Sequence, residues 1–139
     1  MTKSKFNLEG KTALITGASG LLGIEHCHAL LDSKANIVMT DIDTKLIKEE
    51  NEKLIQEYPS SNIYAYSMDV TNENSVLDIR SKLNKKNIKL NILINNAAIN
   101  PKLDKNTNLK NSSRLENISI QDWDKEISVG LTGAFICSR

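Results

Sequence analysis

The run Thr16-Gly17-Ala18-Ser19-Gly20-Leu21-Leu22-Gly23 constrains this chain more than any other feature. It follows the short apolar stretch Thr12-Ala13-Leu14-Ile15-Thr16, which reads as a buried strand. It opens a stretch in which Leu22, Cys27, Leu30 and Leu31 can line the inner face of a helix. Glycines between a strand and a helix form a turn suited to phosphate groups. Gly17 permits the tight turn, Gly20 lets the backbone approach a pyrophosphate, and Gly23 lets the helix pack against the sheet. Free N–H groups and the helix dipole then attract the phosphates.

The same alternation continues along the chain. The pattern predicts a helix over 21–32 and a second buried strand over 36–40 that ends at Asp41. Asp43 or Thr44 can cap the next helix, in which Ile47, Leu54 and Tyr58 recur at helical spacing before Pro59 stops it. A third strand is expected over 62–68. Thr71 is then expected to cap a helix carrying Val76, Ile79 and Leu83. Residues 90–94 read as a fourth strand, and 121–138 as a last helix with Trp123, Ile127, Leu131, Ala134 and Phe135 along one stripe. Short apolar strands alternating with helices indicate an α/β fold, a doubly wound parallel sheet with helices on both faces. By analogy with that fold the strand order is 3-2-1-4. Only residues 99–117, rich in Asn and Lys and containing Pro101, break the rhythm; a loop of that length is usually functional or mobile.

Size and charge narrow the options further. With 139 residues the chain suits one dinucleotide-binding domain over 1–139 and leaves no room for a separate substrate domain. A formal charge of +1, with the basic residues spread out, gives no reason to expect nucleic acid or an anionic membrane as partner. Residues 6–11 break any apolar run behind the basic start, so no secretory signal is expected. Cys27 and Cys137 lie far apart without metal-ligand spacing, consistent with reduced thiols and a cytoplasmic location. His26-Cys27-His28 is a tempting metal cluster, but residues two apart on a helix point to opposite faces.

Asp41 narrows the ligand. It ends the second strand 24 residues after Gly17, where an acid accepts hydrogen bonds from ribose hydroxyls. It would repel a 2′-phosphate, and neighbouring Ile42 and Asp43 supply no base to hold one. NAD is therefore favoured over NADP.

At this point the chain resembles the short-chain dehydrogenase/reductase family. The resemblance is carried by the glycine run, Asp69-Val70, Asn95-Asn96-Ala97-Ala98 and Leu131-Thr132-Gly133-Ala134-Phe135, all in family order, with the opening over 8–17 also similar. It implies a Rossmann fold and an NAD-dependent oxidoreductase acting on an alcohol or carbonyl group of a small molecule. It also implies that Asp69 binds the adenine amino group, that Val70 lies beside the ring, and that Asn95 and Ala97 line the floor of the site. For Asn95 a purely structural role, tying neighbouring strands together, stands beside that reading. With Gly17, Ser19, Gly20, Leu22, Gly23, Asp41 and Ile42 these complete the candidate cofactor-binding set. Family members commonly pair the helix over 121–138, which implies a homo-oligomer; core packing of the same stripe is the alternative. The polar loop over 99–117 points to a sugar-like substrate.

Three departures qualify the resemblance. Classical members carry Gly where Leu21 stands; glycines at 17, 20 and 23 are more like the family's extended branch of nucleotide-sugar epimerases and dehydratases. Gly130 stands where those members place a catalytic Asn. The family's Ser and Tyr-x-x-x-Lys pair is also missing, because Tyr58, Tyr64 and Tyr66 have no Lys four residues on. The chain is thus expected to supply cofactor binding only, truncated before the catalytic segment. An epimerase or dehydratase, and a non-catalytic dinucleotide-binding module, remain the alternatives.

Overall fold

The computed structural model describes residues 6–99 and 115–139. Residues 100–114, most of the long polar loop, lie outside them. Four parallel strands form one sheet: β1 (Thr12–Thr16), β2 (Asn36–Asp41), β3 (Ile63–Ser67) and β4 (Ile92–Ile94). Their order is β3-β2-β1-β4, as the sequence pattern implies. Ile15 of β1 lies in register with Met39 of β2 and with Ile94 of β4.

Strand parity divides the core into two layers. Ala13 and Ile15 of β1 and Ile37 and Met39 of β2 pack against Cys27, Leu30 and Leu31 of α1 (Leu21–Asp32) and Ile47 and Leu54 of α2 (Thr44–Glu57). The intervening Leu14 and Val38 face the other way, towards Ile79 and Leu83 of α3 (Glu73–Lys85). Successive strand residues point to opposite faces, so a strand covered on both sides must be apolar throughout. Every residue of β1 is buried accordingly.

The helix ends follow local chemistry. Asp43 caps α2, its Oδ1 accepting from Lys45 N and Leu46 N at 3.0 and 2.9 Å. Asn72 caps α3 in place of the expected Thr71, because Thr71 turns its own N–H and hydroxyl onto Asp69 Oδ1. Both α1 and α3 close in a pair of reversed bonds. Lys34 N reaches Leu31 O and Ala35 N reaches Leu30 O, and Asn87 and Ile88 repeat the pattern on Asn84 and Leu83. Such closures need a left-handed residue, a role glycine fills most readily and asparagine next. Lys34 holds φ 67° and Asn87 φ 55°. Lys34→Gly should raise unfolding stability by about 0.5–1 kcal/mol, read by urea denaturation; a loss would show that the lysine conformation carries no strain.

Two elements differ from the sequence pattern. β4 is short, because Asn91 ends the ladder with its own side chain: its Oδ1 accepts from Thr12 N while its N–H donates to Thr12 O. The last helix is not continuous either. After a short 3₁₀ turn (Leu115–Asn117), α4 (Ile120–Ile127) passes into a π-helical segment (Ser128–Gly133) and then α5 (Ala134–Ser138). Two glycines weaken the α geometry there. Gly133 is held against Val70, whose Cγ2 would lie 2.7 Å from an added Cβ.

Candidate functional site

The cleft opens at the carboxyl ends of the strands, where β1 hands over to α1. Its backbone cradle is fixed from both flanking strands. Ala18 N donates to Thr40 O, and Ser19 N donates to Asp41 Oδ2 at 3.1 Å, both on the β2 side. From the β4 side, Asn96 Nδ2 donates to both Thr16 O and Gly17 O at 3.0 Å. Thr16 Oγ1 completes the join, accepting from Asn96 N and Ala97 N at 3.0 Å.

The glycines play unequal parts. Gly17 has φ +62°, and an added Cβ would lie 2.9 Å from Ala97 Cα. Gly23 is tighter still: an added Cβ would lie 2.1 Å from Gly17 O and 2.8 Å from Ala18 Cα. Gly20 has ordinary φ −76° and crowds only Gly17 O, at 3.3 Å. It begins α1 without a side-chain cap. The amides of the first turn, which have no partner inside a helix, are therefore available to an acceptor.

Around a cavity of about 580 Å³ the structure gathers the glycine turn, Ser19, Leu22, Asp41, Ile42, Asp69, Val70 and Ala97. Asp41 also accepts from Asp43 N through Oδ1, so the carboxylate is braced on both oxygens. Asp69 Oδ1 is taken by Thr71. Val70 is buried beneath the site, against Gly133. Among the described residues that line the cleft are two carboxylates and no Lys or Arg. Attraction for phosphate there comes from backbone dipoles, while the acids face groups that donate hydrogen bonds.

Asn95 is the candidate that stands apart. It does not line the cleft; its Nδ2 donates to Ser138 Oγ at 3.1 Å and ties the end of β4 to α5. Asn96 takes the place beside the turn. Strand parity carries the signal: Ile92 and Ile94 pack on the α1 face, and Asn96 continues that side, whereas Leu93 faces the α3 layer and Asn95 follows it. Leu21, Leu46, Met68 and Val129 also border the cavity.

Other conspicuous residues lie elsewhere. Tyr58 OH donates to Asp32 Oδ1 at 3.0 Å and sits 3.2 Å from His28 Nδ1, joining α1 to the end of α2. Tyr64 and Tyr66 pack under Lys86 in the α3 layer. None of the three tyrosines lines the cleft. Burial pushes the Cys27 thiol up to about 12, which keeps it protonated and unreactive. Among the described residues no group of three His, Cys, Asp or Glu side chains could hold a metal ion.

A parallel sheet in 3-2-1-4 order, with a glycine turn after β1 and an acid at the end of β2, defines a Rossmann-type nucleotide-binding protein. The family model for short chain dehydrogenases matches residues 11–139, and the chain belongs to that family. Members are oxidoreductases that bind NAD(P) and act on small molecules. A short chain dehydrogenase/reductase of Colletotrichum higginsianum is 32% identical over 142 residues, covering 100% of this chain and 49% of the relative. The crystal structure of a 3-ketoacyl-(acyl-carrier-protein) reductase from Brucella melitensis, complexed with NADH, superposes with TM-score 0.75 at 25% identity, covering 95% of this chain and 48% of that one. An NAD+-bound xylitol dehydrogenase shares the fold, with TM-score 0.78 at 21% identity over 97% of this chain and 47% of its own. The chain thus spans about half the length of these relatives.

Proposed function

We propose that the chain is the cofactor-binding part of an NAD-dependent oxidoreductase that interconverts an alcohol and a carbonyl on a small, sugar-like molecule. The observation that carries the cofactor reading is Asp41. Its carboxylate stands at the rim of the cleft, bound to the Ser19 amide, with Ile42 and Asp43 beside it and no base among the described residues of the lining. The first-turn amides of α1 would hold the phosphates, Asp41 the adenosine ribose and Asp69 the adenine amino group. Gly17 and Gly23 let the turn pack against Ala97 and let α1 pack against the turn with no Cβ between them, which supports a backbone cradle held in shape for a pyrophosphate. When bound, NAD supplies a hydride acceptor at the nicotinamide.

The proton-transfer groups belong in this reading to a Ser and a Tyr-x-x-x-Lys pair outside residues 1–139, which form a single cofactor domain. The polar composition of residues 99–117 supports a polyhydroxylated substrate. Ile120, Trp123, Leu131 and Phe135 are between 49% and 70% exposed, which supports pairing of the 121–138 helix with a second copy. A cytoplasmic location rests on the two separate cysteines; among the described residues no helix is long and apolar enough to cross a membrane. The names of the relatives above give the epimerase and dehydratase reading no support.

Calorimetric titration of this chain with NAD and with NADP tests the proposal. NAD should bind at least about tenfold more tightly, the scale of one lost charge-assisted contact plus repulsion of the 2′-phosphate. Tighter binding of NADP would overturn the role of Asp41, and binding of neither would overturn the cofactor assignment.

A further inference from the structure

Among the described residues, five large aliphatic side chains stand exposed around the mouth of this cleft: Leu21 at 85%, Leu22 at 65%, Ile42 at 69%, Leu46 at 37% and Ile99 at 41%. Leu22 and Ile42 already belong to the cofactor set; Leu21 does not. It is the first residue of α1, and the buried face of that helix is made by Gly23, Cys27, Leu30 and Leu31. Its side chain therefore contributes little to the fold, yet it lines the cleft beside the glycine turn.

We infer that Leu21 is a specificity-determining residue of the cofactor site, an inference that rests on the NAD reading above. With Ile42 and Leu46 it forms an aliphatic collar that the bound dinucleotide buries. The amides of the first turn recognise any phosphate, because a dipole has no preference for what the phosphate carries. The collar adds what they lack. It favours a ligand with adenosine and nicotinamide surface to place against carbon, and it shields the phosphate bonds from water. A large apolar group left in water at a ligand-sized cleft marks a surface awaiting cover.

The test is calorimetry with NAD at several temperatures on the chain and on Leu21→Ala, Leu21→Met and Leu77→Ala. Leu77 is 45% exposed and lies away from the cleft. Leu21→Ala should weaken NAD binding about tenfold, the scale of a few methylene groups no longer buried, and make the heat-capacity change of binding less negative. Leu21→Met should recover most of the affinity, and Leu77→Ala should match the parent. The urea midpoint of all variants should stay unchanged, which separates a binding role from a structural one. If the parent binds NAD and Leu21→Ala binds as well or better, the collar is overturned while the cofactor reading stands. If the parent does not bind NAD, both fall.

Discussion

Gly23→Ala should lower unfolding stability by at least about 3 kcal/mol and remove NAD binding, read by urea denaturation and by calorimetry on whatever folded protein survives. The single added carbon would sit 2.1 Å from Gly17 O and 2.8 Å from Ala18 Cα. Both neighbours are backbone, and both are held. Ala18 N is bonded to Thr40 O, while Gly17 O accepts from Gly20 N and Asn96 Nδ2. No side chain can rotate away to make room, so α1 must lift from the sheet. That would open the core where Cys27, Leu30 and Leu31 meet β1 and β2. By contrast, Gly20→Ala meets only one atom at 3.3 Å and should cost less than about 1 kcal/mol. Equal losses at the two positions would show that the close approach at Gly23 is not what requires a glycine there.

Asn96→Ala should destabilise the chain by about 2 kcal/mol and weaken NAD binding beyond what that loss explains. The change strips the side-chain donor from Thr16 O and Gly17 O in a half-buried place. Thr16 Oγ1 keeps its backbone donors, so the end of β4 should remain attached while the turn itself loosens. Asn95→Ala removes only the bond to Ser138 in an exposed place and should cost under about 1 kcal/mol with NAD affinity unchanged. A larger effect on NAD from Asn95 than from Asn96 would reverse the assignment of the two amides.

Much of the fold is legible in the sequence because it depends on one-dimensional patterns. Apolar runs such as 12–16 and 36–40 can be satisfied only by burial on both faces, and the helices between them bury a stripe at regular spacing. The turn is legible for a similar reason, since its glycines and the strand before it are contiguous. What escaped depends on neighbours distant in sequence. Gly130 and Gly133 weaken the last helix locally, but the packing of Gly133 on Val70, 63 residues earlier, is encoded by no local propensity. β4 stops short because Asn91 pairs with Thr12 across the sheet. At the site, the acid at position 41 announced itself by its place after a strand. The choice between Asn95 and Asn96 needed strand parity carried past the last ladder bond. Thr71 is the local exception: Asp69, only two residues before it, claims the hydroxyl that would otherwise cap the helix.

The braces on the glycine turn have a kinetic consequence. With Asp41 gripping one shoulder and Asn96 the other, the chain entropy of shaping the turn is spent during folding and not at the moment of encounter. A ligand then meets a surface already in its final form, so association should be a single step whose rate scales with ligand concentration, free of a slow closing phase in the turn. Discrimination between ligands at this end of the cleft would accordingly lie in how long each one stays.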